Sequence, residues 1–378
     1  MMYSNFDVVE LRHDLHRHPE VSGFEYNTFT KILNFISSCN PDEIIAPLAK
    51  TGAAYVYKGL RPGPVIMLRA DIDGLKANET CSKEYKSIHE GVSHLCGHDG
   101  HSAILCGVAQ KLATNRDFGG KVVLLFQPAE ETGKGALAVM ADPNFEYIRP
   151  DWIIGMHNVP GFEKHSILIR EGVFASASKG IEIKLLGRSA HAAYPETGLN
   201  PSMAIADLIQ HYSETVKTKS FDDKTLLTIV HASLGELSYG TAPGFAELHA
   251  TLRSSGNAGM LQLEGWCEHI ALKIAAKYRL QHQIKWHDEF VATENNPELV
   301  TMLEKVAEQL HLPKLTLSEA FRWSEDFGYY NQHIKSLYFG IGAGLDCAPL
   351  HDPNYDFPDE ILNTGIQVFM GIIKNLAL

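Results

Sequence analysis

The stretch His94-Leu95-Cys96-Gly97-His98-Asp99-Gly100-His101 places one thiol, three imidazoles and a carboxylate within eight residues, with glycines between them. Thiolate and imidazole are the donors a d-block cation prefers over hard oxygen cages, so zinc is the natural first ion for such a loop. Gly97 and Gly100 let the backbone turn tightly around it. A polar loop whose histidines cap the next helix is the competing reading of these eight residues taken alone.

The cluster has company elsewhere in the chain. Val122-Val123-Leu124-Leu125-Phe126 reads as a buried strand and runs into Gln127-Pro128-Ala129-Glu130-Glu131. Ile153-Ile154 reads as a short strand ending in Gly155-Met156-His157-Asn158, and Leu337 to Ile341 as another that leads to Pro349-Leu350-His351-Asp352. Val65-Ile66-Met67-Leu68 is a continuous apolar run of the kind covered on both faces, and it delivers Arg69, Asp71 and Asp73. Each time, an apolar strand ends and a Glu, His or Asp follows within a few residues. In an open α/β sheet those strand ends form one site. Cys96, His98, Glu130, Glu131, His157 and His351 would therefore converge, which favours the metal reading over the polar loop.

Helices are expected to separate the strands. Phe6 to His18 carries Val8, Val9, Leu11 and Leu15 at helical spacing and stops at Pro19, with His13, His16 and His18 read as ordinary solvated or partnered histidines. Tyr26 to Ser37 and Ser102 to Ala113 read as two more helices, and Gly52 to Tyr57 as a strand. Between about Gly180 and Glu289 the pattern changes. Ile181-Glu182-Ile183-Lys184-Leu185 alternates with period two, and the order β-α-β-β-α-β that follows describes a ferredoxin-like sandwich. The expected fold is thus an α/β open sheet flanked by helices. A catalytic domain is expected over 1–178 and 291–378, with an inserted domain over 179–290.

Composition narrows the class of function. A net charge of -12 in 378 residues argues against a nucleic-acid partner, which calls for basic patches. Six cysteines without a C-x-x-C pair suggest reduced thiols. With no apparent signal sequence at Met1-Met2-Tyr3 and no apolar run long enough for a membrane span, a cytoplasmic protein without a membrane partner is expected.

Taken in order, these motifs resemble the amidohydrolase branch of the dinuclear metallopeptidase family, which contains hippurate hydrolase, bacterial N-acyl-amino-acid amidohydrolases and plant auxin-conjugate hydrolases. The resemblance is carried by Leu15-His16-Arg17-His18-Pro19-Glu20, Arg69-Ala70-Asp71-Ile72-Asp73, Cys96-Gly97-His98-Asp99-Gly100-His101 and Gln127-Pro128-Ala129-Glu130-Glu131. It continues through Met156-His157, Gly187-Arg188-Ser189-Ala190-His191-Ala192, Ser324-Glu325-Asp326-Phe327 and His351-Asp352-Pro353-Asn354-Tyr355-Asp356-Phe357. It implies two divalent ions (zinc, manganese, cobalt or nickel) held by Cys96, His98, Glu131, His157 and His351, with Glu130 as general base. Arg69 stands where sister branches carry a metal-binding histidine.

The same resemblance implies that His191 stabilises an oxyanion, often across subunits, and that the inserted domain is a lid that pairs subunits into a homodimer or higher homo-oligomer. Arg253 has the planar fork that suits a substrate carboxylate or, equally, a structural ion pair, and Asp71, Asp99 and Asp326 are candidates to orient the ligating imidazoles. Asp73 is a further candidate for that task, and a solvated loop acid is the competing reading for all four, strongest for Asp73. One departure stands out: Gly240-Thr241-Ala242-Pro243 occupies the place where the family usually has Asn-Val-Ile-Pro. The function expected is hydrolysis of the amide bond of a small N-acyl amino acid or related conjugate. A dipeptidase or aminopeptidase, or a metal-bearing binding protein without turnover, are the other classes open.

Overall fold

The computed structural model describes residues 7–377. The stretch Met1–Phe6, on which the signal-sequence expectation and the first residue of the leading helix rest, lies outside the described residues. The chain forms two compact units, one taken from Met1–Phe174, Thr293–Glu319 and Asp326–Leu378, the other from Ala175–Ala292 and Ala320–Glu325.

The first unit is built on an eight-stranded mixed sheet. Its strands lie in the order Glu43–Leu48, Gly52–Lys58, Gly119–Gln127, Arg61–Asp71, Trp152–Pro160, Lys335–Gly344, Ile167–Ile169 and Lys314–Thr316. The four central strands, Gly119–Gln127, Arg61–Asp71, Trp152–Pro160 and Lys335–Gly344, run parallel. They read as near-continuous apolar runs because both faces are covered: Ile66, Met67, Leu68, Val122 to Leu125, Ile153 and Ile154 have no exposed surface. Helices Val8–Arg17, Tyr26–Ser37, His98–Thr114, Pro297–Gln309 and Leu362–Leu376 supply Leu15, Ile36, Ile104, Leu303 and Phe369 to the same core. The expected α/β architecture is what forms.

The details differ in places that bear on chemistry. The helix expected from Ser102 begins at His98, so the second imidazole of the loop sits in a first helical turn. The strand through Ile153-Ile154 does not stop before His157 but continues to Pro160, paired with Lys335–Gly344, and His157 is therefore held by a sheet rather than a loop. Glu130–Thr132 is a short 3-10 turn rather than extended chain.

The second unit has a four-stranded antiparallel sheet in the order Thr225–Leu234, Phe245–Ser254, Ala177–Leu186 and Gln281–Phe290. Helices Ser202–Thr218 and Asn257–Lys277 complete the β-α-β-β-α-β succession. Asn200 caps the first of them, its Oδ1 accepting from the Ser202 amide at 2.9 Å. Among the described residues, no helix is long and apolar enough to cross a membrane.

Candidate metal centre

The C-terminal ends of the central strands bring their chemistry-bearing residues to one place. Arg61–Asp71 ends in Asp71 and then Asp73, Gly119–Gln127 leads to Glu130 and Glu131, and Trp152–Pro160 carries His157. His98 opens its helix directly after Cys96. His351 has φ +68° and donates its backbone N–H to the Leu95 carbonyl at 2.8 Å, so the far end of the chain is stitched to the Cys96 loop.

Overlapping groups of donors result, among them Cys96 with His98 and His157, Cys96 with Glu131 and His351, His98 with Glu130 and Glu131, and Asp71 with His98 and His101, the donor atoms in each lying within 4.8 Å of one another. Individual separations are 3.5 Å from Cys96 Sγ to His157 Nε2, 3.8 Å from His98 Nε2 to Glu131 Oε1, and 3.9 Å from His351 Nε2 to Glu131 Oε1. Donors bound at about 2.0–2.3 Å to a tetrahedral ion lie roughly 3.3–3.8 Å apart. The spacing fits shared ions.

The ring tautomers fit as well. His98 donates Nδ1–H to the Asp73 carbonyl at 2.9 Å, and His157 donates Nδ1–H to the Asn158 carbonyl at 2.7 Å, leaving both Nε2 atoms as lone-pair donors. His98 Nε2 and Glu131 Oε1 are buried and have no hydrogen-bond partner. Two orphaned buried donors facing each other are costly unless a cation lies between them. In the bare protein, protons take over part of that task. Burial pushes the Glu131 carboxyl up to about 7, with Asp73 and Asp71 adding repulsion against the pull of His98. Burial pulls the His98 imidazole down, but Asp71, Asp73 and Glu131 together lift it to about 10.

Glu130 is buried differently from its neighbour. Its Oε1 accepts from the Asp326 amide at 3.3 Å and its Oε2 lies 4.0 Å from His98 Nε2. Asp73 sets both carboxylates in place: its Oδ1 accepts from the Glu130 amide at 3.2 Å and its Oδ2 from the Glu131 amide at 3.1 Å, with the Ser22 hydroxyl donating at 2.6 Å. Asp73 is 1% exposed, which overturns the reading of it as a solvated acid. The alternation Asp71-Ile72-Asp73 at a strand end was the available signal.

Behind the donors runs a buried polar network. Arg69 donates Nη1–H to Asp71 at 2.5 Å, Nη2–H to Asp326 at 2.9 Å and Nε–H to Gln127 at 3.0 Å. Asp71 Oδ1 meets His101 Nδ1 at 2.6 Å, and His101 Nε2 meets Asn158 Oδ1 at 2.6 Å. The third imidazole of the loop is thereby engaged, while His94 carries two buried ring nitrogens without a partner. Gly97 sits at φ +96°, and a Cβ there would fall 2.4 Å from Asn158 Oδ1, so the loop tolerates no side chain at that point. Asp99 faces away, toward His16 Nδ1 at 2.9 Å and Arg12 Nη1 at 3.3 Å.

His191 and Arg253 belong to the second unit. His191 is exposed on the two-residue strand Ala190–His191, paired with Thr241–Ala242, and its Nδ1 accepts from the Ala193 amide at 3.0 Å. Arg253 Nη1 donates to the Arg322 carbonyl at 2.7 Å and the Ser324 hydroxyl at 3.2 Å.

The sequence profile described as peptidase family M20/M25/M40 matches residues 67–375. The chain belongs to this family. As an M20-family protein it is a hydrolase, and its fold recurs in solved relatives. A Bacillus subtilis protein, YXEP, described as a dinuclear metal binding peptidase from the M20 family, is 27% identical and superposes with a TM-score of 0.83, over 97% of this chain and 96% of that one. A candidate aminohydrolase from methicillin-resistant Staphylococcus aureus shares the fold with a TM-score of 0.88 at 24% identity, over 98% and 96% of the two chains. The aminobenzoyl-glutamate utilization protein of Klebsiella pneumoniae shares it at 0.73 and 17%, over 97% and 95%.

Proposed function

We propose that this M20-family hydrolase is a two-metal amidohydrolase that removes the acyl group from an N-acyl amino acid or a related small amide conjugate. The observation that carries the metal half of this reading is the pair of orphaned buried donors, His98 Nε2 and Glu131 Oε1, 3.8 Å apart and flanked by Cys96, His157 and His351. Cys96 belongs to two of the donor groups, one with His98 and His157 and one with Glu131 and His351, so these five residues would hold the ions. The substrate half rests on Cys96 and on Arg69, whose guanidinium is bound to Asp71, Asp326 and Gln127 and offers no ligand.

Bound divalent ions supply Lewis acidity, bringing the pKa of a water from about 15.7 towards about 7 and polarising a carbonyl oxygen. The chain's own residues do the remainder. Glu130 holds Oε1 on the Asp326 amide and presents Oε2 as the proton acceptor, then returns that proton to the departing nitrogen. Asp73 fixes the turn so that Glu130 and Glu131 point to different tasks. The Ala193 amide occupies His191 Nδ1, which leaves the ring proton on Nε2, available to stabilise the negative charge that develops on the carbonyl oxygen. Arg253 is our candidate for the substrate carboxylate.

We also propose a homodimer through the second unit. Its edge strand Thr225–Leu234 has one unpaired side and leaves Leu226, Val230 and Leu234 exposed, apolar surface and an open edge that an isologous copy would cover.

The test is a panel of N-acetyl and N-benzoyl amino acids and unblocked dipeptides, assayed with zinc, manganese, cobalt and nickel. Acylated substrates should be cleaved faster than dipeptides of the same residues. Preference for free-amine dipeptides would replace this reading by a dipeptidase.

A further inference from the structure

We propose that His16, Glu79 and Cys81 form a separate site for a borderline-soft divalent cation of the zinc class, independent of the centre around Cys96. The three residues come from different parts of the chain, His16 from the last turn of helix Val8–Arg17 and the other two from the loop that follows Leu75. Their donor atoms lie within 4.8 Å of one another. His16 Nε2 is 3.0 Å from Glu79 Oε2, and Cys81 Sγ is 3.2 Å from the same oxygen. Imidazole, carboxylate and thiolate are a donor set that zinc accepts and that calcium or magnesium does not.

The surroundings are those of a prepared ligand rather than of a chance cluster. His16 is fully buried, and Asp99 Oδ2 engages its other ring nitrogen, Nδ1, at 2.9 Å. A carboxylate in that position fixes the orientation of a ligating histidine and raises its basicity. Arg12 anchors Asp99 in turn, at 3.3 Å. The ring of His94 lies 6.3 Å from that of His16, much as His98 and His157 lie 6.2 Å apart in the first centre. Neither nitrogen of His94 has a hydrogen-bond partner although the residue is buried. His94 lies outside the 4.8 Å donor group, so a water completes the coordination. Cys81 is only half-buried, which leaves a route in for the ion.

In the bare protein the His16 to Glu79 hydrogen bond fills the place of the cation. Binding exchanges one proton from His16 Nε2 and one from Cys81 Sγ for the divalent ion, and both protons pass to solvent. The bound ion would clip the leading helix to the 76–93 loop.

The test uses cobalt, whose bond to thiolate gives a charge-transfer absorption. Cys96→Ser removes the thiolate of the first centre. That variant should still develop thiolate–cobalt absorption, saturating at one equivalent, and adding Cys81→Ser should abolish it. Absence of the band in Cys96→Ser, or its survival in the double variant, overturns the proposal. Where Cys96→Ser fails to fold, elemental analysis of zinc-loaded Cys81→Ser should show one ion per chain fewer than the unsubstituted protein, and equal counts overturn it. Neither readout requires the enzyme to turn over, so loss of activity at the first centre does not decide the result.

Discussion

Glu130→Gln isolates the step that separates a hydrolase from a metal-loaded scaffold. The substitution keeps volume and shape, and the amide oxygen can keep the bond that Oε1 accepts from the Asp326 amide at 3.3 Å. What disappears is the basic lone pair of Oε2, 4.0 Å from His98 Nε2. The charge removed lies in a buried neighbourhood already crowded by Asp71, Asp73 and Glu131, so its removal relieves repulsion there and the variant should fold. A lost general base costs about 10²–10⁴ in turnover, which at about 1.36 kcal/mol per decade is roughly 2.7–5.4 kcal/mol of barrier. The assay is kcat from release of free amine, with bound metal counted by elemental analysis on the same preparation. We expect kcat to fall by that factor at unchanged metal content. A kcat within about threefold of the unsubstituted enzyme would refute the role, and loss of metal together with activity would make Glu130 a ligand instead.

Asp73→Asn places an amide donor against the Glu130 or Glu131 backbone N–H, leaving one of them unpaired at about 1–3 kcal/mol. Lower thermal stability and lower kcat together are expected, and loss of neither would remove Asp73 from the positioning of the two carboxylates. Burial pulls the His16 imidazole down, but the Asp99 charge and the bonds with Asp99, Cys81 and Glu79 outweigh it and hold it up at about 11. A raised folded value means the stabilisation is complete below the unfolded value near 6.5 and is lost as pH rises toward 11. In chelator-treated protein, His16→Gln should therefore lose about 3–5 kcal/mol at pH 6, with the deficit narrowing by pH 10 in urea unfolding; an equal deficit at both pH values would contradict this. Val230→Lys, on the exposed edge strand, should convert dimer to monomer in sedimentation equilibrium, and an unchanged mass would discard that interface.

Much of the centre is legible in the chain because strand ends announce themselves. A buried parallel strand reads as an apolar run, and the first polar residues after it mark the site, which is how Glu130, Glu131 and the Asp71-Ile72-Asp73 stretch stand out. His157 follows the same logic, although the strand that holds it continues to Pro160. Pairing along Lys335–Gly344 extends it past the point where the apolar run ends. What propensity cannot supply is burial set by distant partners. Asp73 has the composition of a loop acid, and only the two amides of the Glu130 turn and the Ser22 hydroxyl reveal its place. His16 looks like one of three helical histidines until Asp99 and Glu79 close on it from 83 and 63 residues away. Edge strands escape for a different reason: Glu43–Leu48 is mostly exposed and shows no alternation to read.

The most direct measurement on the account as a whole is anomalous diffraction at the zinc edge from crystals grown with zinc. Two peaks are expected within this centre, one among Cys96, His98 and His157 and the other among Cys96, Glu131 and His351, each about 2.0–2.3 Å from its donor atoms, apart from the third expected at His16, Glu79 and Cys81. Absence of density between these five side chains, or ions held there by other residues, would contradict the proposed centre.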